Sequence, residues 1–481
     1  MLLRHASPTR LAVLLIFILT IFRLWYATQI GLVADEAYYW LWAKHPDLSY
    51  RDKGPVVAWF IWLGTKMFGN TVFGIRFFGV LLSSGTGWII FALARRLYDE
   101  RTAFWCLLMA LAVPEMAVGS ILMTIDTPSV FFWALSVLLF WEALHNDKIS
   151  TWFWLGLFIG AGFLAKFTNG VQLICVAFFL LWVKQYRHLL ISRKTIVMCV
   201  AFLLASIPIF VWNAETGWIH LTALHSRSGV TNTFQINPDQ FSRFIGEQFA
   251  VVSPFFMTGI IVAAAGMFVK HRQDQRVPFL LSQYVPIYAL FAFFALNNAG
   301  QPNWTVPALV TGIIFTVVFW RELAARHLLW RWAAVSAFVI TLAATVVLHD
   351  IQNLNVPAKF DLMRRSEGWP DFAAHIQKAR VDNRVNLLLG SDYQSASLMA
   401  FYLPDQPAVY LPPEPYGSSQ FTLWPGYKVT PGTRALFVRW DPQDPPPALQ
   451  KQFATIRLVD DFFTQSHSRA LKHVSIYLCT N

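Results

Sequence analysis

The sequence contains few charged residues for its length. Only 14% of its 481 residues are charged, whereas a soluble domain typically carries roughly 25%. Hydrophobic residues make up 56% of the chain and aromatic residues 16%. This balance excludes a water-soluble globular protein and a disordered chain, and it favours a protein that lies largely in lipid.

Cysteines and glycine-rich loops are also scarce. The four cysteines, Cys106, Cys175, Cys199 and Cys479, lack metal-ligand spacing, which excludes a disulfide framework and a zinc knuckle. No glycine-rich phosphate-binding loop is present, so the sequence shows no binding motif for a nucleotide-sugar donor. The sequence also shows no internal repeat, which weighs against transporters built from duplicated halves.

Long hydrophobic runs occupy the first 350 residues. A run of roughly 17–25 apolar residues is long enough to span the hydrocarbon core of a bilayer. The pattern predicts an all-α polytopic membrane domain over residues 1–350, with long external loops at 29–71 and 214–246. The eleven predicted spans are 11–28, 72–94, 102–120, 127–144, 151–166, 169–183, 195–213, 247–269, 277–296, 305–320 and 329–348.

Basic residues are distributed unevenly between the two sets of loops. The net charge is +11, and one set of loops holds sixteen Lys and Arg residues against seven in the other set before residue 350. The positive-inside rule therefore predicts a cytoplasmic N-terminus and an external C-terminal segment. Because the charges follow the loop ends, we expect no nucleic-acid partner.

Composition changes after residue 350. Residues 351–481 contain thirteen of the 25 prolines and are predicted to form a separate soluble α/β domain. The patterns indicate helices at WPDFAAHIQKAR and QSASLMAFY and strands at RVNLLLG, AVYL and ALFVRW. In the first external loop, DEAYYWLWAKH and PVVAWFIWLGTKMF are expected to form amphipathic helices on the membrane surface.

Acidic residues lie where the predicted spans meet the external side. Asp35 and Glu36 open the first external loop, where either could cap the following helix or perform acid–base chemistry. Asp126 interrupts an apolar stretch at the start of the fourth span. An acid near a span is a functional candidate by default, and capping of the next helix is the alternative.

Basic residues accompany these acids on the same side. Lys53 follows Asp52 at a predicted helix start, an arrangement that favours phosphate binding, and Lys166 lies between two apolar stretches. Both lysines could instead reach the interface by snorkelling. In the second loop, His225 could ligate a metal and Arg227 could hold a phosphate. Acids beside phosphate-binding cations suit transfer from a lipid phosphate.

Several motifs resemble one known family. They are DEAYYW, YRDKGPVVAWF, TIDTPS, GFLAKFTNG, WNAETGWIHLTALHSR and PNW, together with DYQSASLMAFYLPDQPAVY and FTLWPG in the tail. In order and spacing they resemble the polyprenyl-phosphate-dependent glycosyltransferases of the GT-C type, the protein mannosyltransferase and aminoarabinose transferase superfamily.

The resemblance implies a GT-C membrane fold and roles for individual residues. Asp35 matches the essential first-loop acid, Asp126 the second acidic position, and Lys53 the lysine near the lipid phosphate. Asp52 and His225 fall near positions that hold a metal in aminoarabinose transferases, where glutamate is typical at the position of Asp52. The resemblance therefore leaves a divalent metal cofactor open.

Together these observations predict an inverting glycosyltransferase of the bacterial inner membrane. It would move a sugar from a polyprenyl (undecaprenyl) phosphate carrier to a lipid A, glycolipid or glycan acceptor on the periplasmic face. Two alternatives are a protein O-mannosyltransferase, which differs in its acceptor, and a transporter or flippase. The predicted catalytic acids are Asp35, Glu36 and Asp126, and the predicted phosphate-binding cations are Lys53, Lys166 and Arg227.

Overall fold

The computed structural model describes residues 7–220, 236–297, 300–349, 362–413, 419–466 and 469–481. The chain forms two compact units. The first consists of Met1–Ala27, Lys53–Phe60 and Arg76–Val347, and the second of Thr28–Asp52, Ile61–Ile75 and Leu348–Asn481. Much of the predicted first loop thus belongs to the same unit as the C-terminal residues.

Helices make up the first unit, and two of them, Val56–Phe68 and Val72–Leu97, also include residues of the second unit. Two shorter segments, Phe167–Gly170 and Pro302–Ala308, are 3-10 helices. The α-helices are α1 (Pro8–Tyr26), α3 (Val56–Phe68), α4 (Val72–Leu97), α5 (Glu100–Ala112), α6 (Pro114–Gly119), α7 (Asp126–His145), α8 (Ile149–Ala165), α9 (Val171–Trp182), α10 (Arg193–Thr216), α11 (Pro238–Val252), α12 (Pro254–His271), α13 (Arg276–Ser282), α14 (Val285–Leu296), α15 (Leu309–Arg326) and α16 (Leu328–His349).

Eight helical segments in the described part of the chain are long and apolar enough to cross a membrane. The polytopic helical prediction is therefore confirmed, although three of the eleven predicted spans are not among these eight segments. Those at 151–166 and 169–183 are shorter apolar helices. The span at 102–120 is divided at Val113, because Pro114 starts a new helix. The predicted span at 247–269 is also interrupted, at Ser253, where φ is +90°.

Close helix packing follows from small residues in α8. Gly156 and Gly160 are four residues apart, so they share one helix face. A Cβ at Gly156 would lie 2.0 Å from the carbonyl oxygen of Met198, and one at Gly160 would lie 2.5 Å from the Cβ of Ala205. Such small residues let helix backbones approach closely in membranes. This contact fixes α8 against α10.

The second unit contains a four-stranded sheet. Its strand order is β1-β2-β4-β3, with β1 and β2 parallel and the other pairs antiparallel. The predicted small α/β fold is confirmed, but AVYL forms only a single bridge between Leu389 and Tyr410, and the β3–β4 hairpin was not predicted. The elements of this unit are α2 (Ala34–Lys44), α17 (Trp369–Asp382), β1 (Leu387–Gly390), α18 (Tyr393–Tyr402), β2 (Arg434–Trp440), α19 (Pro447–Gln450), β3 (Thr455–Ser466) and β4 (Arg469–Thr480).

Helix α2 corrects one prediction. Every residue from Glu36 to Ala43 is buried, so α2 is a core helix of the second unit and not an amphipathic helix on a membrane surface. It packs against α18, and the Trp40 and Phe401 rings meet edge to face with centroids 5.1 Å apart. The aromatic run that suggested interfacial anchoring therefore fills a protein core.

Candidate functional site

The first unit brings an acid, a lysine and an asparagine together at Asp126. The Lys166 ammonium lies 2.6 Å from Oδ1 of Asp126, and Nδ2 of Asn303 donates to Oδ2 at 2.7 Å. The side chains are largely buried, with 8% of Lys166 and 22% of Asp126 exposed. Both carboxylate oxygens of Asp126 are thus engaged by donors of the first unit.

Local structure positions these groups. Asp126 is the first residue of α7, where the helix dipole stabilises a negative charge. Lys166 follows the last residue of α8. Asn169 then exchanges two hydrogen bonds with Ser129 on α7, accepting from its hydroxyl at 2.6 Å and donating to its carbonyl at 2.9 Å. These bonds tie the turn after α8 to α7 and hold Lys166 beside Asp126.

Lys53 belongs to the same unit, and the backbone next to it packs against the end of α8, close to Lys166. A Cβ at Gly54 would lie only 1.8 Å from the carbonyl oxygen of Leu164, so the position admits only glycine. The residue that follows Lys53 is therefore packed against the residue two before Lys166. Of the predicted site residues, Lys53, Asp126 and Lys166 are brought to one region of the first unit.

The second unit contains Asp35. The Tyr393 hydroxyl donates to Oδ1 of Asp35 at 3.2 Å, and no cation pairs with this carboxylate among the residues that the structure describes. Burial and the Asp35 carboxylate raise the pKa of Tyr393 to about 12. The tyrosine therefore remains a hydrogen-bond donor to Asp35 at neutral pH.

Glu36 and Asp52 have different surroundings in this unit. Glu36 is fully buried, and its Oε2 accepts from the backbone N–H of Val33 at 3.0 Å, which is a helix-capping contact. Asp52 lies near Tyr38, whose pKa is raised by burial and by the Asp52 carboxylate. The catalytic role of Glu36 stays a prediction.

The structure describes only one of the two predicted metal ligands. His225 and Arg227 lie outside the described residues, so Asp52 is the only member of the proposed metal pair that the structure describes. Between residues 7 and 481, leaving out the undescribed segments, no group of three His, Cys, Asp or Glu side chains is arranged to hold a metal. The metal site stays a prediction, and no chemistry below depends on it.

Three functional candidates were not identified from the sequence. Asn303 and Tyr393 lie in the motifs PNW and DYQSASLMAFY, which marked the resemblance without being given a role. Glu115 is the third, and an acid inside a predicted span is the sequence feature that could have identified it. It lines a cavity of about 260 Å³ beside Asp126 and Asn303.

The chain is similar to known proteins over part of its length. Residues 52–212 match the family described as dolichyl-phosphate-mannose-protein mannosyltransferase. Lipid A galacturonosyltransferase RgtD of Rhizobium johnstonii is 26% identical over 62% of this chain and 63% of its own length. The undecaprenyl phosphate-alpha-4-amino-4-deoxy-L-arabinose arabinosyl transferase of Pseudomonas aeruginosa is 28% identical over 56% of this chain and 50% of its own.

The structural comparison concerns the whole fold. ArnT from Cupriavidus metallidurans, solved bound to undecaprenyl phosphate, superposes with a TM-score of 0.65 over 96% of this chain and 97% of its own, at 15% identity. This likeness shows a shared fold. The sequence matches are shorter and cover about half to two thirds of the curated relatives' length. The chain is thus similar, over part of its length, to glycosyltransferases of the protein mannosyltransferase and aminoarabinose transferase type.

Proposed function

We propose that the protein is an inverting glycosyltransferase. It moves a sugar from a polyprenyl phosphate, of the undecaprenyl class, to a lipid A, glycolipid or glycan acceptor. The observation that carries the proposal is the buried Asp126–Lys166–Asn303 cluster. The multi-pass chain is also similar to enzymes whose names include lipid A or undecaprenyl phosphate. A buried ion pair in a membrane unit is costly to build, which favours a functional reason for it.

The proposed reaction requires one base and several cations. The acceptor hydroxyl attacks the anomeric carbon from the face opposite the phosphate, and the bond between that carbon and the phosphate oxygen breaks. The hydroxyl proton passes to Asp35, with Glu36 and Asp126 as the other predicted acids. Negative charge grows on the leaving phosphate, and cations that bind the phosphate lower the barrier.

We assign the phosphate contacts to Lys53, Lys166 and Arg227. A lysine ammonium has three N–H donors, and Lys166 uses one of them on Asp126. The remaining two donors are enough for a phosphate oxygen while the ion pair stays intact. In this assignment Asp126 positions Lys166, and Asn303 keeps the second carboxylate oxygen of Asp126 turned away from the ammonium.

The proposed location is the periplasmic face of the bacterial inner membrane. The sixteen-to-seven distribution of basic residues supports a cytoplasmic N-terminus and a periplasmic C-terminal segment. Reporter fusions after Arg101, Arg193 and Arg326 should report the cytoplasm, and a fusion after Asn481 the periplasm. A cytoplasmic signal at Asn481 would contradict this orientation.

Transfer by the purified protein tests the activity. Full-length protein in detergent is incubated with undecaprenyl phosphate carrying one sugar at a time and with lipid A or an acceptor peptide, and products are identified by mass spectrometry. We expect a sugar mass to be added to lipid A. Addition to the peptide alone would favour a protein O-mannosyltransferase, and no transfer to either acceptor would refute the proposal. Mass spectrometry of envelope glycolipids from cells with and without the protein would then identify the sugar.

A further inference from the structure

A cavity in the first unit lies beside the Asp126–Lys166–Asn303 cluster. Its volume is about 260 Å³, which corresponds to roughly nine water molecules at about 30 Å³ each. The wall contains Asp126, Asn303 and the hydroxyl-bearing side chains of Ser83 and Thr86, together with two charged side chains, Glu115 on α6 and Arg23 on α1.

The two charged side chains have unsatisfied hydrogen-bonding capacity. Both carboxylate oxygens of Glu115 are buried and accept no hydrogen bond within the described part of the chain. Arg23 is 9% exposed, and its guanidinium forms no ion pair with a described residue. Buried polar groups without partners are costly, and ionisable side chains inside membrane proteins mark sites for substrates or ions.

The chemistry of these groups limits what could fill the cavity. The carboxyl group of Glu115 can accept hydrogen bonds in either protonation state, whereas a guanidinium can only donate them. A ligand that satisfies both must carry donors and acceptors together, as the hydroxyl groups of a sugar ring do. An apolar lipid chain would leave both Glu115 and Arg23 without partners. A simple cation would satisfy Glu115 but not Arg23.

We propose that this cavity is the subsite for the ring of the transferred sugar, and that Glu115 and Arg23 determine which sugar is accepted. The inference rests on the proposed function, because it names the part of the donor that the cavity receives. Hydroxyl groups of the ring donate to Glu115 and Asp126 and accept from Arg23 and Asn303. The lipid phosphate remains with the lysines assigned above.

The test compares donors with and without a sugar. Full-length wild-type protein, Glu115→Gln and Arg23→Gln are assayed with undecaprenyl phosphate carrying galacturonic acid, 4-amino-4-deoxyarabinose or galactose. Inhibition by sugar-free undecaprenyl phosphate is measured in parallel. Glu142→Gln is the matched control, because Glu142 pairs with Arg96 and does not line the cavity.

We expect each cavity variant to raise KM for the preferred sugar donor by about tenfold or more, since each loses a hydrogen bond to a charged group. The inhibition constant of the sugar-free lipid should stay the same, and the order of preference among the three donors should change. Thermal unfolding identifies a variant that fails to fold, in which case the other cavity variant decides the question.

Several outcomes would overturn the subsite. Unchanged KM values in both variants would show that the cavity holds water only. Equal changes for sugar-bearing and sugar-free lipids would show that Glu115 and Arg23 act on the general structure of the unit. A wild-type protein that transfers none of the three sugars would instead refute the proposed function, and the subsite with it.

Discussion

Asp126 and Asp35 both lie at the start of a helix, but their surroundings differ in charge. Asp126, in the first unit, has a lysine on one oxygen and an amide on the other. Asp35, in the second unit, receives a phenol hydroxyl on one oxygen and no cation from a described residue. Both oxygens of Asp126 are therefore occupied, whereas Oδ2 of Asp35 has no donor among the described residues and can accept a hydrogen bond from an acceptor hydroxyl. The comparison favours Asp35 as the base and Asp126 as the positioning group.

The largest effect should come from Asp35→Asn. Losing a positioned general base lowers rates by about 10²- to 10⁴-fold, and asparagine keeps the shape of the side chain. We expect transfer to fall by that amount in the detergent assay while thermal unfolding stays within a degree or two of wild type. Asp382→Asn, an exposed change in the same unit, is the control. Wild-type turnover in Asp35→Asn would reverse the comparison.

Removing one partner of the buried pair should mainly lower stability. Asp126→Asn leaves the Lys166 ammonium buried without its carboxylate, and breaking such a pair costs about 3 kcal/mol. The double variant with Lys166→Met should recover part of that stability without recovering transfer. The control is Asp147→Asn, which breaks the pair between Lys194 and the exposed Asp147 and should leave stability close to that of wild type. Equal losses at both pairs would remove the special status of the Asp126 cluster.

Tyr393→Phe removes the hydroxyl that donates to Asp35. A hydrogen bond to a charged group contributes about 1.5 kcal/mol or more, so we expect kcat to fall roughly tenfold because the carboxylate is less well oriented. Tyr427→Phe removes a hydroxyl hydrogen bond to Gln452 elsewhere in the unit, and should leave kcat unchanged. If the two variants behave alike, Tyr393 does not orient Asp35.

The pH dependence of stability should also reveal how much the protonated hydroxyl of Tyr393 stabilises the fold. Its folded-state pKa is raised to about 12, above the unfolded value of about 10. The protonated phenol therefore stabilises the fold fully below pH 10, and that contribution is lost as the pH rises through about 12. The stability of wild type relative to Tyr393→Phe should fall between pH 10 and 12 in thermal unfolding. A constant difference from pH 8 to 12 would contradict this.

The smallest effect is expected at Glu36. A glutamine side chain can still accept the Val33 backbone N–H, so Glu36→Gln preserves the cap and should change turnover by no more than about threefold. Glu36→Ala removes the cap and should lower the melting temperature instead. A loss of turnover in Glu36→Gln as large as that in Asp35→Asn would make Glu36 a second catalytic acid.

Sequence patterns predicted the helices better than their breaks. Apolar runs located the membrane-crossing helices because lipid requires about 20 consecutive apolar residues. The division at Val113 and the interruption at Ser253 depend on Pro114 and Pro254, which an apolar run alone does not mark as helix breaks. The β3–β4 hairpin was missed because polar residues such as Asp460 and Asp461 weaken its apolar alternation.

The sequence by itself determined that the chain crosses a membrane several times, has a small α/β region near its C-terminus, and carries acids and cations of the GT-C type. Composition and motifs contain that information because lipid solvation acts on each segment separately. Only the tertiary structure decided which charges meet. Lys166 and Asn303 are separated from Asp126 by 40 and 177 residues, and Tyr393 is 358 residues from Asp35. Contacts at such separations depend on packing of the whole unit, which no local pattern encodes.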